Sequence, residues 1–280
     1  VEQVMDSGAP VAGEIRWESR HVAVRMAPLK RSSGDVGGIV AVLQDVTRER
    51  HLEQMRRDFV SDVSHELRTP LSFIQGYSEA LLDGLDRNPQ QRKSYLQIIV
   101  EETVRLKRLV TNLLDLSLLE AGRFKPPREP FSLADVVHRA MRAMEPVAAS
   151  REVATASDLS PDLPLAVGDE DRIEQVLINL LDNALRHTPV GGRVAVSVHP
   201  APLRDAIQID VADTGEGIPS EDLPRIWERF YKVDKSRTRS KSGTGLGLPI
   251  VKSIVSAHGG EITVESAPGL GTTFHVVLPS

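Results

Sequence analysis

The sequence has no cysteine. That excludes disulfides, thiolate metal sites and cysteine nucleophiles, and it fits a reducing compartment. No apolar run approaches the ~20 residues that a membrane span needs, and no signal peptide is visible. There is no basic excess either. The formal net charge is −5 at pH 7, which gives no hint of a nucleic-acid partner. Internal repeats and low-complexity tracts are missing. What is there is a globular composition, 40% hydrophobic with charges of both signs, in 280 residues, a length that suggests two or three domains or one large one. The chain begins with Val1 rather than Met, so it is read as a fragment, with room for a membrane segment upstream.

Residues 1–47 read as strands. Glu14–Trp17 and His21–Met26 alternate polar and apolar, Gly37–Val46 is a more fully buried run, and Ser32–Asp35 is a turn. Three strands with no covering helix make a poor domain alone, so this is read as part of one. From Thr47 the period becomes helical. One helix is expected to about Asp83 and a loop over Gly84–Asn88. A second helix follows, capped by Asn88, with Pro89 first, and ends at Gly122. It carries Tyr95, Ile98, Ile99, Leu106, Leu109, Leu113 and Leu116 close to a heptad seam. One hairpin cannot bury both of its stripes, so a homodimer forming a four-helix bundle is expected. Pro126, Pro127 and Pro130 mark a linker. From Phe131 the pattern is mixed, with helices expected at 132–149, 169–187, 220–229 and 247–258 and strands at 193–199, 206–212, 261–266 and 272–278. The predicted organisation is therefore 1–47, a helical region 48–123, a linker 124–130 and an α/β domain 131–280.

The first helix carries Ser64-His65-Glu66-Leu67-Arg68-Thr69-Pro70-Leu71. On a helical wheel Met55, Phe59, Val63 and Leu67 lie within about 60° of Leu52 while His65 is about 140° away, which predicts a buried apolar stripe and an exposed imidazole. Thr69, four residues on, shares the face of His65. Pro70 removes a backbone donor and is expected to bend the helix. A carboxylate that accepts a hydrogen bond from one imidazole nitrogen fixes the tautomer and frees the other nitrogen to attack, and Glu66 suits that role. A surface histidine on a solvated helix has the same local look.

Four further elements suit a nucleotide. Asn179, Asn183 and Arg186 recur at i, i+4 and i+7 of a predicted helix. The amides suit a hard cation such as Mg²⁺, and the guanidinium suits phosphate. Asp213-Thr214-Gly215-Glu216-Gly217-Ile218 follows a buried strand, so that Asp213 can accept from an exocyclic amine such as that of adenine while the glycines admit a flat base. Gly243-Thr244-Gly245-Leu246-Gly247-Leu248 precedes a helix and offers a phosphate cradle, with Lys232–Ser242 before it as a lid. Gly269–Phe274, including Thr272, turns into the last strand.

In this order these elements resemble the sensor histidine kinases of two-component systems. Residues 64–71 look like their H box, 179–187 like the N box, 213–218 and 243–248 like the two glycine boxes, and Trp227-Glu228-Arg229-Phe230-Tyr231 like the F box. Residues 1–47 resemble the C-terminal half of a PAS sensor domain, and the arrangement is similar to the phosphate- and respiration-responsive membrane kinases. The resemblance implies an α+β multidomain chain: a partial PAS-like β segment, a helical hairpin that dimerises as a four-helix bundle, and an α/β sandwich of the GHKL type shared with heat-shock, gyrase and mismatch-repair ATPases. It implies ATP and Mg²⁺ as cofactors, His65 as phosphoacceptor, Glu66 as its base, and Thr69 positioning water for dephosphorylation of the partner. It implies Asn179 as metal ligand with Asn183 nearby, Asp213 reading adenine, and Phe230 anchoring the lid beside Tyr231. The implied partner is a response regulator aspartate, and the implied location is a cytoplasmic portion of a membrane-anchored protein. Arg186 and His187 stand where Lys and an aromatic are common, and Pro249 is compatible with a first helical turn. The competing readings are a conformational ATPase and a non-catalytic dimeric scaffold that senses nucleotide.

Overall fold

The computed structural model describes residues 1–32, 36–120, 124–201, 206–233 and 243–280. Most of the turn expected at Ser32–Asp35, the helix end at Gly122 and most of the lid Lys232–Ser242 lie outside the described residues. The chain divides into two compact units, 1–65 and 66–280.

The first unit opens with α1 (Glu2–Ser7) and an antiparallel meander of β1 (Val11–Trp17), β2 (Arg20–Lys30) and β3 (Val36–Asp45). β1 and β2 run longer than expected, and β3 is shifted by one residue. The sheet also has a covering helix that sequence reading did not foresee, because six residues are too short to show a helical period. α1 packs on β2 and β3 and buries Val4 completely. The chain then enters α2 (Thr47–Leu82) through a side-chain-tied corner. The Thr47 N–H donates to Asp45 Oδ1 at 3.0 Å, and Thr47 Oγ1 accepts from the His21 N–H at 2.9 Å. Arg50 Nε donates to Glu14 Oε2 at 2.9 Å and fastens the first turn of α2 to β1.

α2 runs through Pro70 as one helix, and this proline is buried. α3 (Pro89–Glu120) follows a short loop. Its N-cap is the expected one: Asn88 Oδ1 accepts from the Gln91 N–H at 2.8 Å. At the loop end of the hairpin the rings of Tyr77 and Tyr95 are 4.9 Å apart. The expected burial of the whole α2 stripe does not hold within one chain, since Leu52 is 53% and Met55 44% exposed. On α3, Leu96, Val100, Val104, Leu114 and Leu118 are exposed as well. A helical stripe is buried only where another element lies on it, and one hairpin supplies too few faces.

The α/β domain has a five-stranded sheet in the order β5-β7-β8-β10-β9. Its strands are β5 (Ala154–Leu159), β7 (Arg193–Pro200), β8 (Ala206–Asp213), β9 (Glu261–Ala267) and β10 (Gly271–Pro279). β5 is parallel to β7 and the other pairs are antiparallel. A small antiparallel pair, β4 (Glu129–Phe131) with β6 (Ala166–Gly168), flanks it. Three helices complete the sandwich: α4 (Leu133–Ser150), α5 (Glu170–His187) and α6 (Gly247–Ala257). Ser132 and Asp169 cap α4 and α5, each accepting a backbone N–H three residues on.

Strand alternation places Val194, Val196 and Val198, Ile207, Ile209 and Val211, and Phe274, Val276 and Leu278 in the core. Ile173, Leu177, Leu180 and Leu181 of α5 and Ile250, Val251 and Ile254 of α6 share it. Burial of each such side chain is worth about 1.5–3 kcal/mol, so the ends of these elements, where the motifs lie, are rigidly backed. The helix expected at 220–229 is instead a run of turns. Leu223, Ile226 and Trp227 have helical spacing, but Pro219 and Pro224 interrupt the backbone donors and Phe230 adopts φ +60°.

Candidate active site

The buried face of α5 fixes the direction of its opposite, polar face. Asn179, Asn183 and Arg186 therefore project from one side of the helix. The Asn179 Nδ2 atom is buried and has no hydrogen-bond partner among the described residues. A buried amide with an unspent polar group is costly unless a ligand completes it. Arg186 is hydrogen-bonded to Asp182, which also accepts from Arg108 Nη1 at 3.3 Å. The Arg186 guanidinium lies so close to Gly243 that a Cβ there would come within 2.4 Å of Nη1. His187 Nδ1 is 2.9 Å from Glu216 Oε1, and both side chains are exposed.

Asp213 is buried at the end of β8. Its Oδ1 accepts from the N–H groups of Gly215 at 2.8 Å and Thr272 at 3.3 Å. Burial pushes its carboxyl above the ordinary aspartate value, and the two backbone donors oppose that shift without cancelling it. A Cβ on Gly215 would lie 2.6 Å from both Asp213 Oδ1 and the His187 carbonyl oxygen, so the loop closes this tightly only with glycine. Ile218 is held by its N–H donating to Ser266 Oγ at 2.8 Å. Ser266 Oγ in turn donates to the Gly271 carbonyl at 2.8 Å and meets Thr272 Oγ1 at 2.9 Å. Ser266 thus fastens the loop after β8 to the turn before β10. A serine inside a strand carries no pattern, so sequence reading missed it.

The third glycine set leads into α6. Thr244 and Leu246 are buried, Gly247 opens the helix, and Leu248 is half-buried. Gly245 has φ +71°, and a Cβ there would lie 2.6 Å from Phe230 Cα. The Phe230 N–H donates to the Gly245 carbonyl at 2.9 Å. The segment at 227–231 is therefore clamped to the glycine loop through backbone, while the Trp227 ring stands edge-on to Phe274 at 6.0 Å. Tyr231 hydrogen-bonds Asp222, which raises its phenol, and its ring lies 4.2 Å below the Arg225 guanidinium. The α5 stripe, the Asp213 loop with Gly217, and the glycine loop all meet at the same edge of the domain, around the C-terminal end of β8 and the N-terminal end of α6.

Two family descriptions match this chain in tandem. Residues 55–122 match the His Kinase A (phospho-acceptor) domain. Residues 168–280 match the histidine kinase-, DNA gyrase B- and HSP90-like ATPases. The chain belongs to the sensor histidine kinases. It is 40% identical over 257 residues to the sensor histidine kinase WalK of Bacillus subtilis, covering 91% of the chain and 42% of WalK. It is likewise 40% identical over 257 residues to the sensor protein SrrB of Staphylococcus aureus, covering 89% and 42%. It thus spans less than half the length of these curated relatives. Among solved structures it is similar to the Acinetobacter baumannii histidine kinase AdeS, with TM-score 0.61 and 29% identity over 77% of this chain and 97% of that one. The fold also matches histidine kinase ThkA, solved in complex with the response regulator TrrA, with TM-score 0.63 and 24% identity over 99% of this chain and 81% of that one.

His65 is exposed on α2, and Thr69, one turn on, is half-buried. Glu66 is half-buried and doubly engaged: Oε1 accepts from Lys232 Nζ at 2.7 Å, and Oε2 lies 3.4 Å from Arg105 Nη2. Lys232 as a partner of Glu66 was not foreseen, because 166 positions separate them and nothing in either local pattern links them. Among the described residues no three His, Cys, Asp or Glu side chains cluster as a metal cage. The amide oxygen of Asn179 suits Mg²⁺ nonetheless. This ion keeps several waters and takes substrate phosphates, needing only one or two protein oxygens.

Proposed function

We propose that this chain is the kinase core of an ATP-dependent protein histidine kinase that phosphorylates His65 and passes the phosphoryl group to an aspartate of a response regulator. The observation that carries the reading is the tandem match of an acceptor helix and a nucleotide domain within one chain. Asp213, through the carboxylate oxygen that its backbone donors leave open, accepts from the adenine amine. Gly215, Gly217 and Ile218 line the base. Asn183 and Arg186 face the phosphates, the N–H groups of 243–248 cradle them, and His187 borders the base with Glu216. Asn179 would hold Mg²⁺, which neutralises triphosphate charge when bound. Glu66 takes the imidazole proton, so that the other ring nitrogen of His65 attacks the γ-phosphorus and ADP leaves. Thr69 orients water when the regulator is dephosphorylated.

The solved complex of ThkA with a response regulator supports this class of partner, though at 24% identity it carries the fold alone. The exposed apolar stripe on α3, Leu96, Val100, Val104, Leu114 and Leu118, supports a homodimer in which two hairpins form a four-helix bundle. Residues 1–47 are read as the C-terminal part of a PAS-like sensor domain, 48–123 as the acceptor region, 124–130 as linker and 131–280 as the catalytic domain. Among the described residues no helix is long and apolar enough to cross a membrane. Membrane anchoring, as in the membrane kinases that the chain resembles, would therefore come from elsewhere in the full-length protein. A conformational ATPase would have no use for an acceptor helix. The test is incubation with γ-labelled Mg-ATP followed by acid and alkali. Label lost in acid and stable in alkali is the expected result, and ATP hydrolysis without label would favour the conformational ATPase.

A further inference from the structure

The geometry points to a polar latch, centred on Arg172 and Asp115, that holds the nucleotide domain against α3 in a kinase-silent arrangement. The inference rests on the kinase reading above and concerns the regulation of that site. Asp115 lies on α3 and is only 8% exposed. Its Oδ1 accepts from Arg172 Nη1 at 2.9 Å and its Oδ2 from Gln175 Nε2 at 2.7 Å. Both donors sit on the first turns of α5, and Arg172 Nη1 is also 2.8 Å from Gln175 Oε1. The other side of the guanidinium faces the linker, 5.6 Å from the centre of the Phe124 ring. That ring lies 6.1 Å from His258, whose Nε2 accepts the Asp169 N–H at the cap of α5. One arginine therefore joins the acceptor hairpin, the linker and the nucleotide domain.

The same face of α3 reaches the nucleotide site. Asn112, three residues before Asp115, has Nδ2 3.5 Å from Thr244 Oγ1 in the glycine loop. Arg108, one turn earlier, takes Asp182, the partner of Arg186. Further along the hairpin, Lys232 and Arg105 occupy the two oxygens of Glu66. Both oxygens of Glu66 are thus tied into the same set of contacts, and a domain whose glycine loop is tied to α3 is not free to carry ATP elsewhere. The latch is suited to switching because its halves depend on each other. Removing Arg172 leaves the buried charge of Asp115 with Gln175 alone, so a half-made contact is costly to keep. Release frees the domain and takes Lys232 away from Glu66.

The experiment compares the wild type with Asp115→Arg, Arg172→Asp and the charge-swapped double variant. It reads the initial rate of γ-label incorporation at saturating Mg-ATP and hydrogen exchange along residues 108–118. Each single variant is expected to raise the rate about five- to a hundredfold, the range of an intramolecular coupling, and to speed exchange. The swap should return both towards wild type. Asp115→Asn, which keeps shape and removes charge, should move both the same way by less, and it carries the test if a charge reversal misfolds. Folded variants whose labelling is unchanged or slower would overturn the latch. Failure of the kinase reading looks different: the wild type itself takes no acid-labile label, while the exchange data still report whether the contact exists.

Discussion

The acceptor hairpin and the nucleotide domain hide their apolar surface in different ways. In the domain, α5 and α6 lie on a five-stranded sheet, and the inward residues of β7, β8 and β10 are closed off within one chain. In the hairpin, Leu109 and Leu116 are buried, but Leu96, Val100, Val104, Leu114 and Leu118 face outward. The domain closes its sheet within one chain, whereas the hairpin leaves an apolar face that a second copy covers in the proposed homodimer. A self-contained binding domain can be moved as a rigid body. A helical surface completed by assembly can change state when that assembly shifts. This division suits an enzyme that carries its nucleotide to a histidine on another element.

The comparison breaks first, and most severely, at Asp213. Asp213→Asn replaces the carboxylate that is proposed to accept from adenine, and ATP affinity should fall about ten- to a hundredfold, the worth of a hydrogen bond to a charged group. The dimeric state should not change, and calorimetric titration with ATP beside sedimentation checks both. On the hairpin side, Val104→Glu with Leu114→Glu should shift the chain to monomer, each buried side chain being worth about 1.5–3 kcal/mol, while ATP binding is kept. A dimer that survives both changes would remove this face from the interface.

pH sharpens the contrast. The raised carboxyl of Asp213 means that the folded state holds its proton at a pH where an unfolded aspartate has lost it. That residue's contribution to stability is therefore present below the unfolded value and is lost as pH rises through the folded one. Binding runs the other way, because the ionised form is the stronger acceptor in the proposed contact with adenine. ATP affinity should fall on acidification sooner than for an ordinary aspartate, and the fall should vanish in Asp213→Asn. The smallest effect belongs to Ser266→Ala, which frees the Ile218 N–H. A loss of about 1 kcal/mol in nucleotide affinity is expected, with the melting temperature nearly unchanged.

How much was legible in the sequence follows the same division. Elements with a strong period were readable: α2, α3, α4, α5 and α6, and the central strands with alternating Val, Ile and Phe. β5, with only Leu159 as a large apolar residue, shows no alternation and was not foreseen, and neither were three-residue β4 and β6. The turns at 220–229 mimic helical spacing, and only the two prolines argue otherwise. At the proposed site, Asn179, Asp213 and the glycines stand out in the sequence because each belongs to a local motif. Ser266, Lys232, Asn112 and the Asp115–Arg172 pair were not, because their meaning lies in partners brought near by the fold.

The most direct test of the central claim labels the wild type and His65→Gln with γ-labelled Mg-ATP while measuring nucleotide binding on the same samples. The account predicts acid-labile, alkali-stable label on the wild type, none on the variant, and equal ATP affinity in both. Label that persists in His65→Gln, or ATP binding lost along with it, would contradict the separation of an acceptor histidine from a nucleotide site.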